Sequence, residues 1–448
     1  MPVVVAPDHV FHDVATGVWC GVTEASDELP ARAEILATAC IAAGAPVVEA
    51  IDHGLDSLLR VHDLQFLRVL QTAYQRWEAD GHLDSPGGIP YVTLYFFPPV
   101  ASSHGGVRGR GAATIRAEVG FYAMDTMTCI GEGTWTGARA AADAAAPAAD
   151  LVAGGHAAAY AVCRPPGHHA GPAFFGGSCY LNNAAVAAAQ LRASGCERVA
   201  VIDIDAHHGN GTQAIFWNDP AVLYGSVHVD PAAGWFPHTV GHADEVDDAG
   251  TNRNVPVEPG SGDDVWLAAC RSLLADTAQF RPDAVVVSLG VDAAVDDPNS
   301  PLLVTDAGFA TAGQLLAHLD RPTVFVHEVA TCCRRWRNTQ WPCSKVSNPD
   351  PVGRLSPMSV NVRIPTTMRP IAGGASSVQV EGVTLADVLA NLETAHPGFR
   401  ERLFDDTGAL RKFVNVFVAD DDVRYLDGVD TKVPDGETVS IIPAVAGG

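Results

Sequence analysis

From about residue 115 to 328 the chain alternates Ala/Leu-rich segments of helical spacing with short β-branched runs, "AAYAV", "RVAVIDID", "DAVVVSLGVD" and "RPTVFV". Such an alternation predicts an α/β unit, a parallel sheet with helices on both faces. After Met358 the period changes. "MSVNVRIP" and "SSVQVEG" alternate apolar and polar positions as two strands would, and "TLADVLANLETA" carries Leu385, Val388, Leu389 and Leu392 at helical spacing. Thr384 stands where an N-cap belongs and Asp387 three residues on, the pattern of a capping box. "KFVNVFVADDDVRYL" and "ETVSIIP" then read as two further strands. Two strands, a helix and two strands in so short a stretch predict a small α+β unit of β-grasp, ubiquitin-like type.

A length of 448 residues accommodates two domains, each with its own core. The balance of 28 basic against 52 acidic side chains gives a formal charge of -24. A surface of that sign repels phosphate backbones and anionic membranes, so nucleic acid and membrane are excluded as partners, and a cationic substrate such as a polyamine or a lysine side chain is favoured. The start "MPVVVAPDHVFHDVATG" has neither the basic region nor the apolar core of a signal peptide, and no apolar run reaches membrane-spanning length. The expected location is cytoplasmic. Ten cysteines without CxxC pairs read as reduced, mostly buried thiols. The oligomeric state stays open, a homo-oligomer included.

Four of the β-branched runs end in chemistry, where ligands of parallel sheets collect. One leads to Pro165, Pro166, Gly167 and the tandem pair His168 and His169. A second ends in Asp203, Asp205, His207, His208 and Asn210, a third in Asp292, and "RPTVFVHE" runs into a stretch of foreign composition. Two residues apart on extended backbone, Asp205 and His207 face the same side. With Asp292 they form a two-carboxylate, one-imidazole set suited to a divalent metal with an open position. A lone Asp at a strand end is ordinarily a helix cap and a lone His a satisfied polar residue. Two tandem histidine pairs and three acids at adjacent strand ends point to a metal centre instead.

The segments "RPPGHHA", "GGSCYLNNAAVAA", "VIDIDAHHGNGTQAIF", "SVHVDPAAGWFP" and "SLGVDAAVDDP", with "DELPARAEIL" and "LLRVHDLQFL" nearer the front, resemble the histone-deacetylase family of the arginase/deacetylase fold. The flavour is that of the bacterial acetylpolyamine and histone-deacetylase-like amidohydrolases. The resemblance implies a zinc-dependent hydrolase of acylated amines. It makes Asp205, His207 and Asp292 the Zn2+ ligands and His168 and His169 the catalytic pair, His169 moving the proton. Asp203 and Asn210 would orient His168 and His169. It also implies a K+ ion on Asp203 and on backbone oxygens of Asp205, His207, Ser226 and Val227. Ser178 departs from the aromatic residue that walls the acyl-lysine channel in the family. The stretch between Arg76 and Arg116 looks like an insertion at the channel mouth, mobile in its Gly-rich part.

The family's last catalytic strand ends in Glu-Gly-Gly-Tyr, the phenol donating to the developing oxyanion. Here Glu328 is followed by Val329, Ala330 and Thr331, and no tyrosine occurs before Tyr425. Residues Glu328 to Ser347 can be back-translated so that one inserted G after the first codon yields EGGYLLPTLAQHPVALLEGF. The foreign stretch thus reads as the domain's own last motif in a shifted frame, with a divergent linker as the alternative.

The segment after Met358, itself like a former start codon, resembles the ThiS/MoaD-type sulfur-carrier family through "FVNVFVADDDVR" and "IIPAVAGG". That implies a tail whose Gly447 and Gly448 thread a narrow channel and present a carboxylate to an adenylating, sulfur-transferring partner. The division is then 1–328 for the deacetylase-like domain, 329–357 for an aberrant linker and 358–448 for the carrier. Three functions follow: an amidohydrolase impaired by the missing tyrosine, an acyl-binding homologue with little turnover, or a sulfur carrier with a passenger domain.

Overall fold

The computed structural model describes residues 1–83 apart from 20, 21 and 27, residues 90–93 and 114–329, and, with short gaps, 359–443. The foreign stretch from 330 on, most of the segment between Arg76 and Arg116 (84–89 and 94–113), and Gly447 and Gly448 lie outside the described residues. The chain divides into two units, Met1–Val346 and Ser347–Gly448.

In the first unit the β-branched runs form ten strands: β1 Val3–Val5, β2 Thr16–Trp19, β3 Val22–Ala25, β4 Val47–Glu49, β5 Ala158–Val162, β6 Val199–Asp203, β7 Val222–Val229, β8 Asn252–Val257, β9 Ala284–Leu289 and β10 Thr323–His327. β2 and β3 make a separate hairpin, and the other eight form one sheet in the order β4-β1-β5-β10-β9-β6-β7-β8. Every pairing in that sheet is parallel. Alternate side chains enter two cores. Val286, Val201 and Ala161 face the helices Thr134–Ala153 and Asn183–Ala193, while Val285, Val287 and Ile202 face Asp263–Phe280 and Asp306–Ala317. Both faces being covered, the strands need apolar residues at every position, which is why they read as unbroken runs. The strands β5, β10, β9 and β6, whose ends carry the polar motifs, are consecutive neighbours at the middle of the sheet.

The described residues of the second unit form five strands: β11 Ser359–Arg363, β12 Ser377–Glu381, β13 Val414–Val418, β14 Asp421–Asp422 and β15 Thr438–Pro443, in the order β12-β11-β15-β13-β14. β11 pairs with β15 in parallel, and the other pairings are antiparallel. This small mixed sheet is of β-grasp type. Leu385, Val388, Leu389 and Leu392 of the helix Leu385–Ala395 pack into its core. "KFVNVFVADDDVRYL" is not one strand: Ala419 takes a left-handed φ of 54° and the chain reverses, pairing Asp421 and Asp422 back on Val418 and Phe417. Asp421 and Asp422 thereby form the short edge strand β14.

The Thr384 hydroxyl accepts from the Asp387 amide at 3.3 Å and the Asp387 carboxylate from the Thr384 amide at 3.0 Å, a complete capping box. Thr384→Ala is expected to cost about 1 kcal/mol. Hydrogen exchange of the amides of 385–395 should quicken about fivefold, with the first unit unaffected; unchanged rates would refute the cap.

Candidate active site

Ligand atoms of Asp205, His207 and Asp292 lie within 4.8 Å of one another, both carboxylates fully buried. His207 Nδ1 is 2.7 Å from Asp292 Oδ2 and 3.3 Å from Asp205 Oδ1. The expected extended backbone is not what aligns Asp205 with His207. β6 ends at Asp203, and side chains then turn the chain. Asp203 Oδ1 accepts from the Asp205 amide at 3.2 Å and Asp205 Oδ1 from the His207 amide at 2.9 Å. Asp292 Oδ1 accepts from the Ala206 amide at 2.8 Å, tying this turn to the segment beyond β9. Gly290 permits the approach, since a Cβ there would sit 1.9 Å from Asp205 Oδ2.

Burial opposes a charge on His207, but its hydrogen bonds to Asp205 and Asp292, with their charges, raise its pKa to about 10. Burial lifts the Asp205 carboxyl above its ordinary value, and the Asp292 charge adds to the rise. An imidazole proton held between two carboxylates occupies the position a divalent cation would take. Binding such a cation would release that proton, and the donor set of one nitrogen and two carboxylates fits it.

Beside this cluster the rings of His168 and His169 lie 4.0 Å apart, centroid to centroid. His168 Nδ1 is 3.0 Å from Asp203 Oδ2, which also accepts from the Tyr224 hydroxyl at 3.2 Å. His169 Nδ1 is 2.7 Å from Asn210 Oδ1, on the first residue of the helix Asn210–Phe216. The two partners divide the pair. Burial disfavours a cationic His168, yet Asp205 and Asp203 raise its pKa to about 10. His169 faces only an amide, and burial, then the charges of His168 and His207, push its pKa well below the usual 6.5. Because an amide oxygen only accepts, Nδ1 of neutral His169 carries the hydrogen and Nε2 keeps its lone pair. The pair is one acid and one base.

His169 and His207 line a cavity of about 530 Å³ together with Trp235, Phe236, Gly177 and Ser178. Phe236 stands edge-on to His169 at 4.9 Å, and Trp235 lies within 25° of parallel to His207 at 6.5 Å. The residue expected to thin the channel wall, Ser178, is therefore on the cavity surface. Asp203 and Ser226, two of the expected K+ positions, face each other in the β6–β7 register, with Val227 next along β7. All three are buried, and Ser226 Oγ is 2.7 Å from His228 Nδ1.

Two groups of this region escaped the reading of the sequence. Arg32 and Arg164, both buried, pair with Glu28 on the cavity lining, and although burial opposes its ionisation they hold the Glu28 carboxyl below its usual value. No local pattern announces a cluster drawn from such distant segments. Glu328 is the second, and its position after an unbroken apolar strand, like that of Asp203, was the available signal. His168, Cys179 and Glu328 also lie within 4.8 Å of one another. Both oxygens of Glu328 accept hydrogen bonds there, and burial raises the pKa of the Cys179 thiol well above its usual value.

Residues 24–328 match the family model of the histone deacetylase domain. The chain belongs to the histone deacetylase family. Acetylpolyamine amidohydrolases are among its relatives: that of Mycoplana ramosa is 38% identical over 332 residues, 73% of this chain and 94% of the relative. That of Burkholderia pseudomallei is 39% identical over 325 residues, 72% of this chain and 91% of the relative. A crystal structure of the acetylpolyamine aminohydrolase from Burkholderia pseudomallei superposes with a TM-score of 0.69 at 37% identity, covering 75% of this chain and 95% of that one. Residues 362–448 match the ThiS family. A hydrolase domain of the deacetylase fold and a ThiS domain thus share one chain. Among the described residues no helix is long and apolar enough to cross a membrane.

Proposed function

We propose that residues 1–328 form a zinc-dependent amidohydrolase that removes an acyl group from an amine, with acetylated polyamines or acetyl-lysine side chains as the substrate class. The observation that carries this reading is the convergence of Asp205, His207 and Asp292 beside the divided pair His168 and His169 on one cavity. The acetylpolyamine amidohydrolases among the relatives and the formal charge of -24, which attracts cationic amines, support the substrate class.

Held by Asp205, His207 and Asp292, zinc would supply Lewis acidity toward the amide carbonyl and the attacking water. His169 takes the proton of that water at Nε2 and returns it to the leaving amine nitrogen, with Asn210 fixing the tautomer throughout. His168, paired with Asp203, keeps a positive charge beside the reacting carbonyl. One donor is missing. No tyrosine lines the cavity among the described residues: the hydroxyls of Tyr180 and Tyr224 donate to Cys129 and Asp203, and that of Tyr160 meets His327. Loss of one oxyanion donor costs about 2.7–4 kcal/mol in the transition state, so the chain turns over slowly. The second reading, an acyl-binding homologue, rests on this same missing donor.

For residues 358–448 the function is that of a sulfur carrier, the Gly448 carboxylate being adenylated and converted to a thiocarboxylate by a partner. The match to the ThiS family over 362–448 and the β-grasp sheet support it.

One zinc per chain is expected by metal analysis, and Asp292→Ala should lower the affinity at least about tenfold; full occupancy in that variant would refute the site. Restoring Gly-Gly-Tyr after Glu328 by the single-base correction should raise turnover of an acetylated amine about 100-fold, and His169→Ala should abolish it. A corrected chain no faster than this one would favour the acyl-binding reading. Incubation with an adenylating partner and a sulfur source should replace one oxygen of the Gly448 carboxylate by sulfur, seen as the corresponding gain in intact mass, and Gly447→Val should block it. No gain with a partner active on a related carrier would count against the sulfur-carrier role.

A further inference from the structure

Glu328 belongs to none of the groups assigned a chemical role above, yet it binds the loop that carries the tandem histidines. It is fully buried immediately after β10. Its Oε2 accepts from the amides of Gly167 at 2.6 Å and His168 at 3.1 Å, and its Oε1 from the Ser288 hydroxyl at 3.2 Å, one residue before the end of β9. Its own amide donates to Leu289 at 2.9 Å, and its carbonyl accepts from Arg32. The next residue continues the pattern, the Val329 amide lying 3.3 Å from Asp205 Oδ2. The loop it grips has no slack on its other side, since a Cβ on Gly167 would lie 2.5 Å from the Asn183 amide nitrogen.

We infer that Glu328 is a positioning residue: its carboxylate, by accepting from the two amides that precede and begin the tandem pair, sets where His168 and His169 stand relative to Asp205, His207 and Asp292. The inference rests on the hydrolase reading for its consequence, though the loop geometry can be measured without it. The role is that of an acceptor and not of a charge. A glutamine keeps it, with its amide oxygen toward Gly167 and His168 and its NH2 toward Ser288 Oγ, which can accept. An aspartate keeps the charge but withdraws the oxygens by about 1.5 Å, one carbon–carbon bond, and a leucine removes the acceptors.

The test uses the full chain with Glu328→Gln, Glu328→Asp and Glu328→Leu. Exchange of the Gly167 and His168 amides is expected to quicken about tenfold in the Asp and Leu variants, as the loss of a buried hydrogen bond requires, and to stay within about twofold in the Gln variant. Amides of 199–203 and 284–289 should be unchanged. On an acetylated amine, kcat should fall about tenfold or more in the Asp and Leu variants with KM nearly constant, as displaced catalytic groups demand, and the Gln variant should retain most of it. Should Glu328→Leu fail to fold, Glu328→Asp decides. Unchanged amide exchange in Glu328→Asp would overturn the inference, and so would a Gln variant as impaired as the Leu variant, which would assign the role to the charge. If no variant and no parent chain hydrolyses any acetylated amine, the hydrolase reading fails while the exchange data still judge the loop.

Discussion

Four fully buried carboxylates, Asp203, Asp205, Asp292 and Glu328, crowd the ends of neighbouring strands, and the arrangement of everything around them follows from the need to compensate that charge. An ionised carboxylate taken out of water costs several kcal/mol unless donors and opposite charges replace its hydration. Backbone amides supply the donors: Asp205 for Asp203, His207 for Asp205, Ala206 for Asp292, and Gly167 with His168 for Glu328. The first two turn the chain after β6, and the bonds to Asp292 and Glu328 join the exit loops of different strands. Two imidazoles, His168 and His207, are raised toward the cationic form by the same carboxylates. Burial in turn raises the carboxyls of Asp203, Asp205 and Glu328 above their ordinary values, Glu328 to about 7.

The sheet makes the crowding tolerable. With a helix layer on each face, β5, β10, β9 and β6 leave only their ends in contact with solvent-filled space, and polar residues can occur there without breaking the apolar runs. A packed interior also explains the rigidity the site requires. Neighbouring strands in fixed register hold the exit loops at constant spacing, and a site built on such elements is more exact than one built on free loops.

Much of this was legible in the sequence, for a physical reason in each case. Unbroken β-branched runs predict strands covered on both sides, and the structure has them. The capping box at Thr384 and the apolar stripe from Leu385 to Leu392 were readable because helix signals are local. Asp205, His207 and Asp292 do come together, but the extended spacing offered as the reason does not hold. Side-chain acceptors turn the backbone after Asp203, a competition between side chain and strand ladder that residue spacing cannot reveal. The position of Glu328 at a strand end is a signal, but its partners, the amides of Gly167 and His168, are backbone groups that no residue pattern names, and the Glu28, Arg32 and Arg164 cluster joins segments more than a hundred residues apart.

Where the foreign composition begins matters more than its length. It starts at Val329, one residue beyond Glu328 and two beyond the end of β10, a strand held between β5 and β9. His327 and Glu328 lie just before Val329, and with them the acceptor that grips the tandem-histidine loop. The polar residues of the described site all precede Val329: His168 with Asp203, His169 with Asn210, the group Asp205, His207 and Asp292, and the Glu28–Arg32–Arg164 group. The second unit has a core of its own among the described residues, from Val360 to Ile441. Fold and donor inventory are therefore separable in this chain: the strands of the parallel sheet all lie before Val329, and the position at which the family pattern places its tyrosine lies after Glu328.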